Sequence, residues 1–398
     1  MNSDRVIIVG AGPVGLVAAA ALAAEGIPVA IIEAERDLPD GMRASTFHPP
    51  TLDMLERFGV VESLIADGLI CPTWQFRDRA EGPIATFDHA MIAGDTRHPY
   101  RLQCEQWRLT RLLRERLAAN PDVEFIYDAR ALEVAQDEAG VTLTIERPDG
   151  YREALAGRYL IGADGARSAI RKSLGIGFEG QTIPEIYLTL STPFAYHDAM
   201  EGLTNIAYIS DPDEWFVLLR NLRLWRLLLP TDPNEPEEVM LSDARIEERM
   251  QQVLPKAGAY EIIHRTAYRV HERVAERYVQ GRVFLAGDAA HVNNPLGGMG
   301  MNGGIHDALN LSEKLVGVWR GAPLASMGRY ERQRQKVALE VVQQQALRNR
   351  SILNQKDPAT RQAFLDDLRA TVADPVRHRA HLLRTSMAQS LWDLENVE

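Results

Sequence analysis

The chain has 398 residues, 45% hydrophobic and 25% charged, enough for two domains or for one large domain with an inserted layer. Its net charge of −11 argues against general affinity for nucleic acid or an anionic membrane, though local arginines can reverse the field in a cleft. Cys71 and Cys104 form no CxxC pair and no disulfide framework, so a reducing, cytoplasmic setting is expected, and no Cys, His or carboxylate cluster has metal-ligand spacing.

Residues 6–24 carry no charge and mimic a membrane span, but Gly10, Gly12, Pro13 and Gly15 would break such a helix. Val6-Ile7-Ile8-Val9 reads instead as a buried parallel strand. A glycine turn follows, then an Ala-rich helix over 16–25, then a second strand, Val29–Ile32, closing on Glu33. This is a complete βαβ dinucleotide fingerprint. Gly10 makes the turn, Gly12 admits a pyrophosphate, Gly15 lets helix pack on strand, and Glu33 is placed to accept ribose hydroxyls.

An irregular segment containing Arg43 leads to a helix opened by Pro49-Pro50, with Leu52, Leu55 and Phe58 on one face. Residues 73–79 and 84–87 predict a hairpin, 105–117 an amphipathic helix, and 123–127, 131–135 and 141–146 strands. Tyr159-Leu160-Ile161-Gly162 returns a buried strand to the main sheet. It ends in Ala163-Asp164-Gly165, with Ser168 and Arg171 on a short helix behind.

Between Pro184 and Val274 strand-like runs dominate, broken by one helix over 236–253, which reads as an antiparallel sheet inserted into an α/β domain. Alternation puts Phe216, Leu218 and Arg220 on one face of a strand and Trp215, Val217 and Leu219 on the other. Val283–Ala286 is then a strand ending in Gly287-Asp288, followed by Pro295, a glycine run through Gly300 and Met301, and a helix from Asn302 to Trp319. Glycines admit a close ligand there, and the helix's first N–H groups suit an electron-rich edge. A further helix over 330–349 and a helical tail read as peripheral packing or a subunit contact.

Three elements in this order, the Gly10 fingerprint, the Asp164-Gly165 turn and the Gly287-Asp288 element with its glycine run, resemble the class A FAD-dependent aromatic hydroxylases of the para-hydroxybenzoate hydroxylase fold. The resemblance covers about residues 5–319. It implies an α/β fold: a Rossmann-like (GR2-type) FAD-binding domain, an inserted antiparallel β-sheet substrate domain, and C-terminal helices. The expected division is 1–75, 100–180 and 275–325 for FAD, 76–99 and 181–274 for substrate, and 326–398 for the helical region. The resemblance also implies that Gly10, Gly12, Pro13, Gly15 and Glu33 hold the adenosine end. Gln103 would meet the ribityl and phosphate region, Arg43 would lie on the cofactor side of its loop, and Asp164 would serve FAD and NAD(P)H together. Asp288 would hold the ribityl chain, and Pro295, Gly300, Met301 and Asn302 would line the flavin edge.

The implied activity is hydroxylation of a phenolic or N-heteroaromatic (hydroxypyridine-like) ring, using NADH or NADPH and O₂, through a flavin C4a-hydroperoxide. The alternatives are a ubiquinone-ring hydroxylase, or a FAD-dependent reductase without oxygen insertion. The arginine pattern of benzoate-reading members, the halogenase WxWxIP segment and the extra C-terminal domain of larger phenol hydroxylases are not found. Tyr208, Arg220 and His48 are the substrate-shell candidates, with Tyr187 and Tyr268 behind them. Expected partners are the small aromatic substrate, O₂, NAD(P)H and a second copy of the chain as a homodimer; nucleic acid and membrane are not expected.

Overall fold

The computed structural model describes residues 3–41, 44–353 and 355–397. Its first layer is a six-stranded sheet in the order 279–280, 283–285, 159–162, 6–9, 29–32, 123–126. The edge pair is antiparallel and the rest are parallel, with Val6 level with both Tyr159 and Val29. All four residues of Val6–Val9 are buried, as a strand covered on both faces must be. Strand 6–9 has strand 29–32 on one side and 159–162 on the other, so the chain order reverses beside it. That is where an open parallel sheet leaves a crevice at its carboxyl ends. The fingerprint helix, Pro13–Ala23, buries Leu16, Val17, Ala18, Ala19 and Leu22 and packs on helix Met299–Trp319. Strand Arg152–Gly157, absent from the sequence reading because Ala154, Ala156 and Gly157 are poor strand formers, completes a three-stranded meander with 130–136 and 141–146.

The second layer is an eight-stranded sheet built from residues 73–88, 178–231 and 264–292. It is antiparallel except where Ala207–Ser210 runs parallel to Gln75–Asp78, a pairing that no tight turn enforces. Strand Thr73–Asp78 lies wholly in this sheet and pairs with residues 82–88 through a register shift between Phe76 and Arg77, so a division at residue 75 falls inside a strand. The expected alternation holds, and both faces are buried. Phe216, Leu218, Leu227 and Leu229 pack with Ile246 and Met250 of helix Asp243–Val253. On the other face Trp74, Tyr208, Trp215 and Val217 share a core with Leu353, Leu365, Leu368, Leu382 and Leu383. The C-terminal helices are therefore part of the substrate sheet's core rather than peripheral packing. The helix after residue 328 runs to Leu353 and includes a π-helical stretch, Val337–Gln343. Among the described residues no helix is long and apolar enough to cross a membrane.

Candidate active site

At the crevice, two of the three fingerprint glycines are fixed by contact. A Cβ on Gly15 would stand 1.9 Å from the Gly10 carbonyl oxygen. One on Gly10, whose φ is +102°, would stand 2.4 Å from the Ala163 oxygen. Gly12 differs: a Cβ there would meet nothing within 4 Å, because it would project into a cavity of about 930 Å³. That volume is at the upper end of the ~300–1,000 Å³ usual for cofactor and ligand sites. Helix Pro13–Ala23 starts at this cavity with no side-chain cap, so its first N–H groups face the space unsatisfied, a fit for a pyrophosphate. Glu33 lines the same end. One carboxylate oxygen accepts from the Ala11 N–H at 2.9 Å and the other from Glu35 at 3.1 Å, which fixes the carboxylate beside the loop.

Asp164, Pro295, Asp288, Gly300 and Met301 line the middle of the cavity. The Asp164 carboxylate accepts from the Ser168 hydroxyl at 2.6 Å and from the Ala169 and Ile170 N–H groups at 2.7 and 3.1 Å. Burial nevertheless pushes its carboxyl up, against those hydrogen bonds. Arg171 is buried; its guanidinium donates to the Ala289 and Ala166 carbonyls at 2.8 Å each and lies 3.7 Å from the centre of the Phe178 ring. It ties the Asp164 turn to the Gly287 element. Asp288 is exposed while Gly287 and Ala289 on either side are buried, and the space it faces is the cavity. Helix Met299–Trp319 begins at Gly298 without a side-chain cap, so the N–H groups of Met299, Gly300 and Met301 are the ones left for a ligand edge.

Asn302, Gln103 and His48 lie behind the cavity wall rather than in it. The fully buried Asn302 amide accepts from the His48 N–H at 2.9 Å and donates to Thr46 and Gly298 carbonyls at 2.9 and 2.7 Å. Gln103 spends its amide on Ser45 and Thr46, which do line the cavity; the glutamine facing the space is Gln106, first residue of helix Gln106–Ala118. His48 bonds the Gly297 carbonyl through Nε2 at 2.9 Å. Burial, then Arg101, holds its pKa well below the usual value, so it is a neutral brace of the glycine turn. Arg43 lies outside the described residues.

Behind the Gly287 turn sits a fully buried ionic triad. Asp307 accepts from the Gly287 N–H at 3.0 Å and meets His291 Nε2 at 2.8 Å and Arg334 Nε at 2.5 Å; Arg334 also donates to the Gly303 carbonyl at 3.2 Å. Burial alone would raise the Asp307 carboxyl, but Arg334 and His291 outweigh it and hold the pKa at about 2.

The far end of the cavity is walled by the eight-stranded sheet, through Thr189, Tyr208, Val217, Leu219, Leu228 and Tyr268. Tyr208 is here as expected, edge-on to Trp74 at 5.8 Å. Tyr268 is 38% exposed, and this exposure is to the cavity; burial from bulk solvent still pushes its phenol up. Tyr187 is absent from the lining: its ring meets Trp215 at 5.4 Å and its hydroxyl finds no partner among the described residues. Arg220 is a correction. Its register partner is Trp225, and its guanidinium lies over that ring, 5.9 Å from the centre, and 3.4 Å from Asn205 Oδ1, on the face with Phe216 and Leu218. The lining face carries Leu219 and, opposite it, Arg226.

The cation that sequence reasoning missed is Arg101. It is 2% exposed, sits over the Trp74 ring at 5.0 Å, makes no ion pair with the described residues, and its Nε has no partner. Burial lowers the guanidinium, and the Tyr208 hydroxyl beside it opposes that shift. A lone arginine on a three-residue strand, Arg101–Gln103, gives no periodic signal.

A cavity with uncapped helix N–H groups and Glu33 at one end and Tyr208, Tyr268 and Arg101 at the other fits an FAD-dependent monooxygenase. Residues 4–345 match the FAD binding domain family, and the chain belongs to it, among the class A FAD-dependent aromatic hydroxylases. Para-nitrophenol 4-monooxygenase of Pseudomonas sp. (strain WBC-3) is 35% identical, over 99% of this chain and 96% of that one. The 6-hydroxy-3-succinoylpyridine 3-monooxygenase of Pseudomonas putida (strain DSM 28022 / S16) is also 35% identical, over 94% and 96%. The crystal structure of p-nitrophenol 4-monooxygenase from Pseudomonas putida DLL-E4 superposes with a TM-score of 0.91 at 33% identity, covering 98% of each chain. FAD is the cofactor, and a small aromatic substrate, O₂ and reduced nicotinamide are the reactants.

Proposed function

We propose that the protein hydroxylates a single-ring phenol or hydroxypyridine taken up as its anion. The observation that carries this is Arg101, a guanidinium buried at the chamber wall beside the Tyr208 hydroxyl, with no carboxylate partner among the described residues. An uncompensated buried cation is costly, and a phenolate oxygen would supply the missing charge. Relatives whose names specify a nitrophenol and a hydroxypyridine support the same class.

Bound FAD supplies hydride acceptance from NAD(P)H and activation of O₂. The chain's own work is to hold and to exclude. Gly12 and the helix N-terminus at Pro13 would take the pyrophosphate, Glu33 the ribose and Asp288 the ribityl chain. The N–H groups of Met299 to Met301 would favour negative charge on the ring edge. Arg101 lowers the cost of the substrate's oxyanion, and a ring held as anion is the more nucleophilic one. Tyr208, Leu219, Leu228 and Tyr268 orient that ring and keep water from it.

Two free, buried cysteines support a cytoplasmic setting for this activity. A homodimer through the C-terminal helices, where Val376 and Trp392 are exposed, belongs to the same proposal, with light scattering as its check. The test of function is NAD(P)H oxidation stimulated by a panel of phenols and hydroxypyridines under isotopically labelled O₂. Label in the ring product is expected; substrate-stimulated oxidation that proceeds equally without oxygen would overturn the reading.

A further inference from the structure

Arg101 and Tyr208 line a second cavity as well, of about 210 Å³, enclosed between the substrate sheet and the C-terminal helices. The two spaces share one partition. Gly297 and Met299 face the second cavity, while Gly298 and Gly300 face the flavin chamber. The second space is smaller than the ~300–1,000 Å³ of drug-sized sites, so it admits one substituted ring.

Its chemistry has two parts. The walls are aromatic, with Trp74, Tyr208 and Phe364, and His381 stacks on Phe87 at 4.3 Å with its Nε2 buried and unpartnered. The rim is cationic. Arg348 and Arg384 are exposed and make no ion pair with the described residues, and the lining's single described acid, Asp367, is bound to Arg377 at 2.7 Å. Burial, then Arg384, Arg348 and Arg101, pushes His381 down to about 3, which marks the same positive field. On a chain of net charge −11 this is a local reversal that draws anions.

We propose that this second cavity is a staging site for the substrate: a single-ring aromatic anion is drawn in by Arg348 and Arg384, held between Trp74 and Phe364, and handed past Arg101 and Tyr208 into the flavin chamber. The proposal rests on the reading of the enzyme as a hydroxylase of aromatic anions. Arg101 is then the common anchor of two sites, which gives its lack of a fixed carboxylate partner a purpose. A permanent partner would close the passage.

The experiment mixes FAD-loaded protein with para-nitrophenolate in a stopped-flow instrument and follows the flavin absorbance change. Ala380→Trp fills the second cavity. It should slow association and dissociation by the same factor, about tenfold or more, with an unchanged Kd, because the final site is untouched. The double variant Arg348→Glu/Arg384→Glu, exposed and safe for folding, should slow para-nitrophenolate about tenfold at low salt and less at high salt, and leave neutral phenol unaltered. Unchanged association rates in both variants overturn the staging site, as does equal slowing of the anion and of neutral phenol by the arginine pair. Wild-type protein giving no flavin perturbation with para-nitrophenolate overturns it for this anion. Failure of the hydroxylase reading shows differently: the binding kinetics respond to the variants, but no labelled oxygen reaches the ring.

Discussion

The two ends of the long cavity are built by opposite means. At the adenosine and flavin end the ligand-facing groups are largely backbone, joined by the Glu33 and Asp288 carboxylates, and side chains such as Asn302, Gln103 and Arg171 are occupied in holding that backbone in place. At the ring end the ligand-facing groups are side chains on strands, and one of them, Arg101, meets no carboxylate among the described residues. A surface made of N–H groups takes any flavin dinucleotide. A surface made of side chains can be retuned one residue at a time, so variation in substrate belongs there.

The sharpest way to break this contrast is to remove a group from each end and ask which property fails. The largest effect is global and comes from acid. His89, His306 and His381 are each held down to about 3, first by burial and then by Arg101, Arg334 and Arg384 respectively. The unfolded chain takes up protons near 6.5 and the folded one does not. The stability these histidines lend is therefore full above that value and lost as pH falls toward 3, at up to about 1.4 kcal/mol per pH unit for each. Melting temperature should fall steeply between pH 6 and 4; a flat profile would contradict the neutral assignment.

Next is Asp288→Ala, which removes a charge-assisted hydrogen bond of about 1.5–3 kcal/mol to the cofactor and should leave the purified protein largely colourless. Full flavin occupancy would take Asp288 out of the site. Arg101→Met belongs to the other end. Flavin content should hold while kcat/KM falls roughly 10- to 100-fold, and Arg101→Lys should recover part of it. Tyr208→Phe removes one neutral partner and should cost only about three- to tenfold in kcat/KM. Arg220→Ala should move neither flavin content nor KM, since its guanidinium rests on Trp225 behind the sheet; a raised KM would restore it to the chamber.

The same contrast explains what could be read from the sequence. Gly10 and Gly15, with a strand on either side and Glu33 in place, were legible because close backbone approach leaves room for no other residue, and Gly12 because it completes their spacing. Asp164 and Asp288 were legible because they end strands in glycine turns. Gln103 and Asn302 were expected at the cofactor, Asn302 through its backbone N–H; their side-chain amides are spent on Ser45, Thr46 and Gly298, and spacing along a chain does not say which way an amide points. Gln106, three residues on, takes the cavity-facing place.

Arg220 failed for a more particular reason. Alternation placed it on the right strand, and even on the right face relative to Phe216 and Leu218, but both faces are buried. Pattern alone cannot tell a core from a chamber. Arg101 and the tail's share in the substrate core come from contacts between segments some 250 residues apart, for which a single sequence holds no signal.

The Asp307 triad has a consequence for how the molecule opens. It fastens the Gly287 turn, at the end of strand 283–285 next to the edge of the nucleotide sheet, to Arg334 on a helix of the tail. Amide protons at Gly287 and along 328–336 should therefore exchange with solvent as one cooperative unit despite their distance in sequence, and both should slow together when FAD is added.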